Sequence, residues 1–563
     1  MTQTSPEPGA RAHRVPGLRA TARGLVRTHR RFATGLARAT AGTLRRDPGA
    51  AGVEPAAGDK RFDDPAWDTN PYFHLVRQTY LLGSRFVLES VDALPLGEHD
   101  RVAARFLAEL GVGAAAPTNF LPGNPAALRA ARQTRGRSLV QGTANFLSDL
   151  AANRGLPAAV DAAPFVKGRD LAATPGKVVF RNEVMELIQY EPRTETVHAV
   201  PMLVSPPWVN KYYVLDLAPQ RSVIGWLVEH GHTVFAISYR NPDAASRDVG
   251  LDHYVRDGLV PALGAIADIT GAEEVNLAGA CLGGLLALML AAWVAEDERP
   301  RIGCITLINT IADFTDSADF ADNSATGKVL RRFVVPAIAR AADRRGYIDG
   351  RDMDAFFRFL RADDLVWRYV GANWLRGGKP PAFDILAWNS DPMNVTPRAQ
   401  DFFMRQSCLD NDFAGGRVEL AGRRLRPERV EQDVFVTSAR DDHIIPWEFA
   451  YRTTSLLPGD VRFHLVSGGH IAGAIAPPHP RARYWASDRP PAPDPATWLA
   501  GATEHKDTWW HPWVEWLRER SGPQRTPPPI GSARYPAGEP APGVYIHSRG
   551  VPQGPPRPAG GSR

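Results

Sequence analysis

The stretch that most constrains the fold is residues 274–289, Glu-Val-Asn-Leu-Ala-Gly-Ala-Cys-Leu-Gly-Gly-Leu-Leu-Ala-Leu-Met. It reads as a short apolar strand, a glycine-rich turn and the start of an apolar helix, with Cys281 at the apex. Gly279 and Gly283 allow the two backbones to approach and leave the central side chain exposed at a helix N-terminus. That is the frame of a G-x-S-x-G nucleophile elbow with sulfur replacing the hydroxyl. By composition, about a few hundredths of a G-x-C-x-G match is expected in this chain, and the strand-before, helix-after context lowers that further. The plain alternative is a small buried cysteine at a strand end. The elbow therefore signifies a nucleophile only if the chain also supplies a base and an orienting acid.

The flanking sequence places the elbow in an alternating strand and helix region. Val178–Phe180, Met185–Tyr190 and Ala199–Val204 are β-rich runs, followed by a helical segment over Ser222–His230 and a strand over Thr233–Ser238. A helix over Leu251–Ile269 leads into the elbow, and Arg301–Ile308 forms the next strand. Strands are expected again at Asp433–Ser438 and Val461–Val466. This alternation predicts an α/β protein with a mainly parallel sheet, the α/β-hydrolase fold. Between them, about 309–433 is polar, helical and aromatic-rich, and reads as an inserted cap; Trp367, Tyr369, Trp374, Phe383 and Trp388 are expected as core more often than as substrate wall. The expected organisation is a basic arm and linker over 1–60, partly disordered, and an N-terminal helical domain over 61–176, with Trp67 as a packing anchor. The catalytic domain covers 177–520, and a Pro/Gly-rich tail, 521–563, wraps the surface or is disordered.

Two loops after predicted strands complete a constellation. Ala439-Arg-Asp-Asp-His-Ile-Ile-Pro446 offers an acid, and Ser467-Gly-Gly-His-Ile-Ala-Gly473 offers a histidine. The order Cys281, Asp442, His470 is the nucleophile, acid, histidine order of this fold. His470, with the positive end of the helix after Cys281, favours the thiolate, and Asp442 fixes the imidazole tautomer. The backbone N–H groups of Leu282 and Val209 are the expected oxyanion donors. Spacing alone does not separate Asp441 from Asp442. His443 is too near the acid in sequence to be the base, and Asp441, Asp442 and His443 lack the further clustered ligand a metal site needs. No metal and no cofactor is expected.

Composition sets the surroundings. Three cysteines in 563 residues (Cys281, Cys304, Cys408) argue for a reducing compartment, and the cytoplasm fits. There is no run of about 18 apolar residues and no apolar core of a signal peptide, so no transmembrane segment and no export is expected. The net charge of +5 is uneven: up to Arg46 there are ten Arg against one acid, Glu7. If about 22–46 is helical, Leu25, Phe32, Leu36 and Ala39 share a side opposite most of the Arg residues, as at an anionic or apolar interface; a solvated tail is the alternative. Nucleic acid is disfavoured, because the arm lacks interleaved aromatics and no binding motif accompanies it.

From about Arg61 to His547 the chain resembles the polyhydroxyalkanoate synthases. The stretches that carry the resemblance are Pro206-Pro-Trp-Val-Asn-Lys-Tyr-Tyr-Val-Leu-Asp-Leu217, Gly279-Ala-Cys-Leu-Gly-Gly284 and Asp384-Ile-Leu-Ala-Trp-Asn-Ser-Asp391. To these are added Asp442-His-Ile-Ile-Pro-Trp447, Gly469-His-Ile-Ala-Gly473 and Trp509-Trp510 with Ala541–Tyr545. The chain departs from the family at Ala387, where an aromatic is usual, at Leu282, where Ser or Val is commoner, and at Asp363, where Asn is usual. The single-subunit, medium-chain branch is the nearer one. The resemblance implies polymerisation of 3-hydroxyacyl-CoA with release of CoA, which is substrate and product rather than cofactor. It also implies Cys281 carrying the growing polyester chain as a thioester, His470 as general base and Asp442 assisting the hydroxyl or the histidine. A homodimer in the cytoplasm at the polymer granule surface is implied as well. A Cys-dependent hydrolase (esterase, thioesterase or depolymerase) and a non-catalytic granule-binding protein are the competing readings.

Overall fold

The computed structural model describes residues 18–45, 52–294, 300–315, 335–442 and 444–548. The chain divides into a helical unit, Met1–Asp161 with Asp319–Ala337 and Ala355–Pro381, and a sheet unit, Ala162–Ala318 with Ile338–Asp354 and Ala382–Arg563. The stretch 309–433 expected as one cap is thus shared between the two.

In the helical unit, α1 (Leu18–Leu44) lies antiparallel on α2 (Pro71–Ala93): Gly24 meets Ala93, Phe32 meets Phe86 and Gly35 meets Leu82. The residues turned inward, Thr21, Leu25, Thr28, Phe32, Gly35, Ala39 and Gly42, alternate at spacings of four and three, the seam of a close helix pair. The described part of the arm is therefore helical. α2 starts where Asn70 caps the N–H of Tyr72 and Pro71 takes the first helical position. Trp67 is fully buried between Phe62 and Phe73, with ring centroids 5.0 and 5.6 Å away. After α3 (Glu98–Ala114) and α4 (Pro125–Gln133), α5 (Arg137–Ala152) packs on the helical turns of 363–375. Asn145 donates to the carbonyls of Asn373 and Gly378, and the Trp374 indole donates to Asp149 at 2.7 Å.

Among the described residues the main sheet of the other unit holds ten strands: β1 (Gly176–Arg181), β2 (Met185–Tyr190), β3 (Met202–Ser205), β4 (Val234–Tyr239), β5 (Glu274–Ala280), β6 (Arg301–Ile308), β7 (Val434–Ala439), β8 (Val461–Val466), β9 (Tyr484–Ala486) and β10 (Thr503–His505). Their spatial order is β1-β2-β4-β3-β5-β6-β7-β8-β9-β10. The six strands from β4 to β8 pair in parallel, and antiparallel pairs flank them on both sides. β4 and β7 are buried along their whole length, which is why they read as mainly apolar runs without a two-residue alternation. The helix after the elbow, α6 (Leu282–Trp293), is apolar all round and almost wholly buried.

The tail up to Ser548 is bound to the sheet unit. Backbone bonds join Val178 to Gly538 and Glu539, and Gly176 to Ala541, so the tail pairs with the outer edge of β1 and closes an edge open to association. The buried Glu186 side chain accepts from the N–H groups of Val544 and Tyr545.

Candidate active site

Cys281, Asp442 and His470 lie in the turns after β5, β7 and β8, at the carboxyl ends of parallel strands, where open α/β sheets place their chemistry. Cys281 has φ +52° and ψ −122°, a conformation that L-residues rarely adopt and that an elbow imposes. Its N–H donates to Ile308 O at 2.7 Å, and its carbonyl accepts from Gly284 N at 3.0 Å. The glycines explain why the turn is tight. A Cβ on Gly279 would sit 2.4 Å from Gly284 Cα, and one on Gly283 would sit 2.1 Å from Ser205 O. Leu282 opens α6, so its N–H has no acceptor within the helix. Val209 is half-buried in the turn after β3, and the start of that turn, Ser205–Pro206, is pressed against Gly283.

His470 begins a short helix, His470–Ala474, and is buried. Its Nδ1 meets Asp442 Oδ2 at 2.5 Å, while Asp442 Oδ1 accepts from the N–H groups of Ile444 and Ile445 at 2.8 and 2.9 Å. Asp442 is therefore held from both sides, whereas the neighbouring Asp441 is exposed and joins the loop through its own N–H to Gly468 O. His443 lies outside the described residues. Burial of the His470 ring is the largest influence and disfavours its charged form; the bond to Asp442 and the interaction with Cys281 outweigh it and raise the pKa to about 10. Cys304 is buried and pushed up by that burial, and burial pushes Cys408 up to about 12.

Two features escape a reading by motif. Asn309, directly after β6 and at φ +48°, is 2% exposed. Its Nδ2 donates to His470 O at 2.5 Å, its Oδ1 accepts from Ala439 N at 2.8 Å, and its own N–H donates to Thr437 O at 2.8 Å. One side chain thus ties the histidine turn to the strand that leads to Asp442. An Asn immediately after an apolar strand was the available signal.

The second feature surrounds Lys211, in the turn that carries Val209. Lys211 Nζ donates to Asp391 Oδ1 at 2.9 Å and to Ile546 O at 2.6 Å, Tyr213 donates to Asp391 Oδ2 at 2.9 Å, and Lys167 also pairs with Asp391. Trp388 Nε1 donates to Lys211 O at 2.9 Å. Burial is the main cause that pushes Lys211 down to about 8, with Lys167 acting in the same direction against Asp391. Of the five aromatics expected as one cluster, Trp367, Tyr369 and Trp374 belong to the helical unit, and Phe383 and Trp388 to the sheet unit. Ala387, one of the departures from the family pattern, is buried.

Comparison with known proteins bears on both units. A family model described as the N-terminus of poly-beta-hydroxybutyrate polymerase matches residues 58–227, and one described as the alpha/beta hydrolase fold matches residues 198–476. The poly(3-hydroxyalkanoate) polymerase of Methylorubrum extorquens is 39% identical over 88% of this chain and 82% of its own length. The polymerase subunit of Cupriavidus necator is 38% identical over 87% of this chain and 83% of its own, and polymerase 1 of Ectopseudomonas oleovorans 37% over 89% and 88%.

Proposed function

The chain belongs to the poly(3-hydroxyalkanoate) polymerases, and on that premise we propose that it joins 3-hydroxyacyl groups from CoA thioesters into polyester with Cys281 as the acyl carrier. It is an acyltransferase of the α/β-hydrolase fold. The observation that carries the cysteine mechanism is the linked set of Cys281, His470 and Asp442 at the ends of three parallel strands.

In this reading His470 takes the proton of the Cys281 thiol, and the thiolate attacks the thioester carbonyl of 3-hydroxyacyl-CoA. The N–H groups of Leu282 and Val209 hold the oxyanion. Collapse breaks the C–S bond to CoA, which leaves as the thiol with the proton from His470, and Cys281 is left acylated. His470 then takes the proton of an incoming 3-hydroxyl. That oxygen attacks the Cys281 thioester, an ester bond forms, and the Cys281 thiolate leaves. Each turn forms one ester, breaks one CoA thioester and releases one CoA. Exchange between two thioesters is close to isoenergetic, which is the physical case for sulfur over a hydroxyl at this position. Asp442 stabilises the imidazolium; direct assistance to the hydroxyl is the alternative role. The chemistry needs no cofactor and no metal.

The remaining part of the proposal is a homodimer working in the cytoplasm at the surface of the polymer granule; among the described residues no helix is long and apolar enough to cross a membrane. The test measures CoA release and polymer yield from 3-hydroxybutyryl-CoA and 3-hydroxyoctanoyl-CoA, beside Cys281→Ala and Cys281→Ser. Polymer from the wild type and a loss of roughly 1,000-fold or more in Cys281→Ala is the expected result. Free acid without polymer would make the enzyme a hydrolase, and full activity in Cys281→Ala would end the assignment.

A further inference from the structure

We propose that the outward face of α1 is a docking surface for an anionic phospholipid layer. The helix spends its inner seam on α2, so what it shows to solvent is set by the other side, and that side is arginine. Within Leu18–Leu44 there are six Arg residues and no Asp or Glu. Arg31 pairs with Glu89 at 3.5 Å, but among the described residues Arg19, Arg23, Arg27, Arg30 and Arg38 have no carboxylate partner. Like charges crowded along about 40 Å of helix repel one another, at a cost that an opposed anionic surface removes.

The shape of this face separates lipid from other polyanions. Between α1 and α2 runs an open groove of about 860 Å³. Its rim includes Arg23, Arg27, Arg30, Arg31, Arg38 and, from α2, Arg85, against one carboxylate, Glu89, which already receives Arg31 and Arg85. Its apolar lining is Phe32, Leu82 and Phe86, with Val26 standing clear at 61% exposed. A cationic rim over an apolar lining matches a molecule with an anionic head and an apolar body, as in the lipid interface. Nucleic acid offers nothing to the apolar lining, and the two rings that α1 carries, His29 and Phe32, are both engaged with Phe86, with centroids 4.8 and 5.2 Å away. With Val26 and Leu44, about five turns apart and 61% and 80% exposed, the two large apolar side chains of α1 that stand clear, against six Arg, the attachment is mainly electrostatic, near the headgroups rather than deep among the acyl chains.

The experiment is flotation of the full chain with vesicles of phosphatidylcholine alone or mixed with phosphatidylglycerol, at low and high salt. The chain should float with the anionic vesicles and not with the neutral ones, and salt should release it. Replacing Arg23, Arg27, Arg30 and Arg38 together by Gln should weaken partition on the order of several hundred-fold, a factor of about five for each cation near the surface. All four residues are exposed, none is among the inward-turned residues of α1, and none belongs to the catalytic set. Helical content by circular dichroism and CoA release in the absence of vesicles should therefore stay at wild-type values, which separates this surface from the polymerase reading. Equal flotation with neutral vesicles would overturn the proposal, as would unchanged flotation of the fourfold variant. Release from anionic vesicles by duplex DNA at matched phosphate concentration would reassign the face to nucleic acid.

Discussion

Asn309→Ala isolates a contribution to the site that no motif reveals. The substitution leaves the buried N–H of Ala439 without its partner and takes one donor from the His470 carbonyl, which keeps its bond within the helix His470–Ala474. The orphaned N–H costs about 1–3 kcal/mol. The substitution also places alanine at φ +48°, where Asn is tolerated and a plain Cβ costs about 1–2 kcal/mol. The total, roughly 2–5 kcal/mol, is a large part of the stability of a domain, so loss of fold is one outcome of this variant. Asn309→Gly removes the φ penalty and keeps the hydrogen-bond loss, and it is the informative partner. A shift of about 1 Å in a positioned catalytic group costs on the order of 100-fold. Asn309→Gly should therefore lower kcat about 10- to 100-fold with little change in KM, because His470 moves while the turns that bind substrate stay. Asn309→Asp keeps the acceptor for Ala439 but sets a carboxylate oxygen against His470 O, so it should not restore the rate. Stopped-flow CoA release gives kcat and KM, and urea denaturation gives stability. If Asn309→Gly keeps wild-type kcat while losing stability, Asn309 is a structural brace and the positioning argument is refuted.

Three further outcomes follow from the same geometry. Gly283→Ala drives a Cβ to 2.1 Å from the Ser205 carbonyl, a backbone atom that cannot swing away, so the elbow must open and CoA release should fall at least 100-fold, read against thermal stability. For pH, His470 has a folded pKa of about 10 against 6.5 for the ordinary group, so its contribution to stability is fully present below about pH 6.5 and is lost as pH rises through 10. Cys281→Ala removes one of the interactions that raise it. The ring resonance of His470 should then titrate at lower pH, and the alkaline loss of stability should shrink; an unchanged titration curve would show that the thiol does not act on the ring. Lys211→Met strips a buried cation from Asp391 and frees the turn that carries Val209. It should lower both stability and kcat, and adding Asp391→Leu should lower stability further rather than restore it, because Lys167 still pairs with Asp391 in the single variant and loses that partner in the double one.

What the sequence determines by itself is the chemistry that depends on near neighbours. A G-x-C-x-G turn between an apolar run and an apolar helix has few ways to fold, since strand and helix cross within atomic contact at Gly279 and Gly283. The buried parallel strands are legible for the same kind of reason: β6 and β8 fall at the bounds that their apolar runs predict. The order of Cys281, Asp442 and His470 after three such strands is also a property of the line of residues. The tertiary structure decides what depends on residues far apart in the chain. It puts β4 between β2 and β3, selects Asp442 over Asp441 to face His470, and gives residues 355–381 to the helical unit. It also brings Lys211 to Asp391 across 180 residues and Asn309 to His470 across 161. Local spacing sets which face of an element a side chain takes. A hydrogen bond between two distant turns depends on how the strands beneath them are ordered and staggered, and that is set by the packing of the whole core.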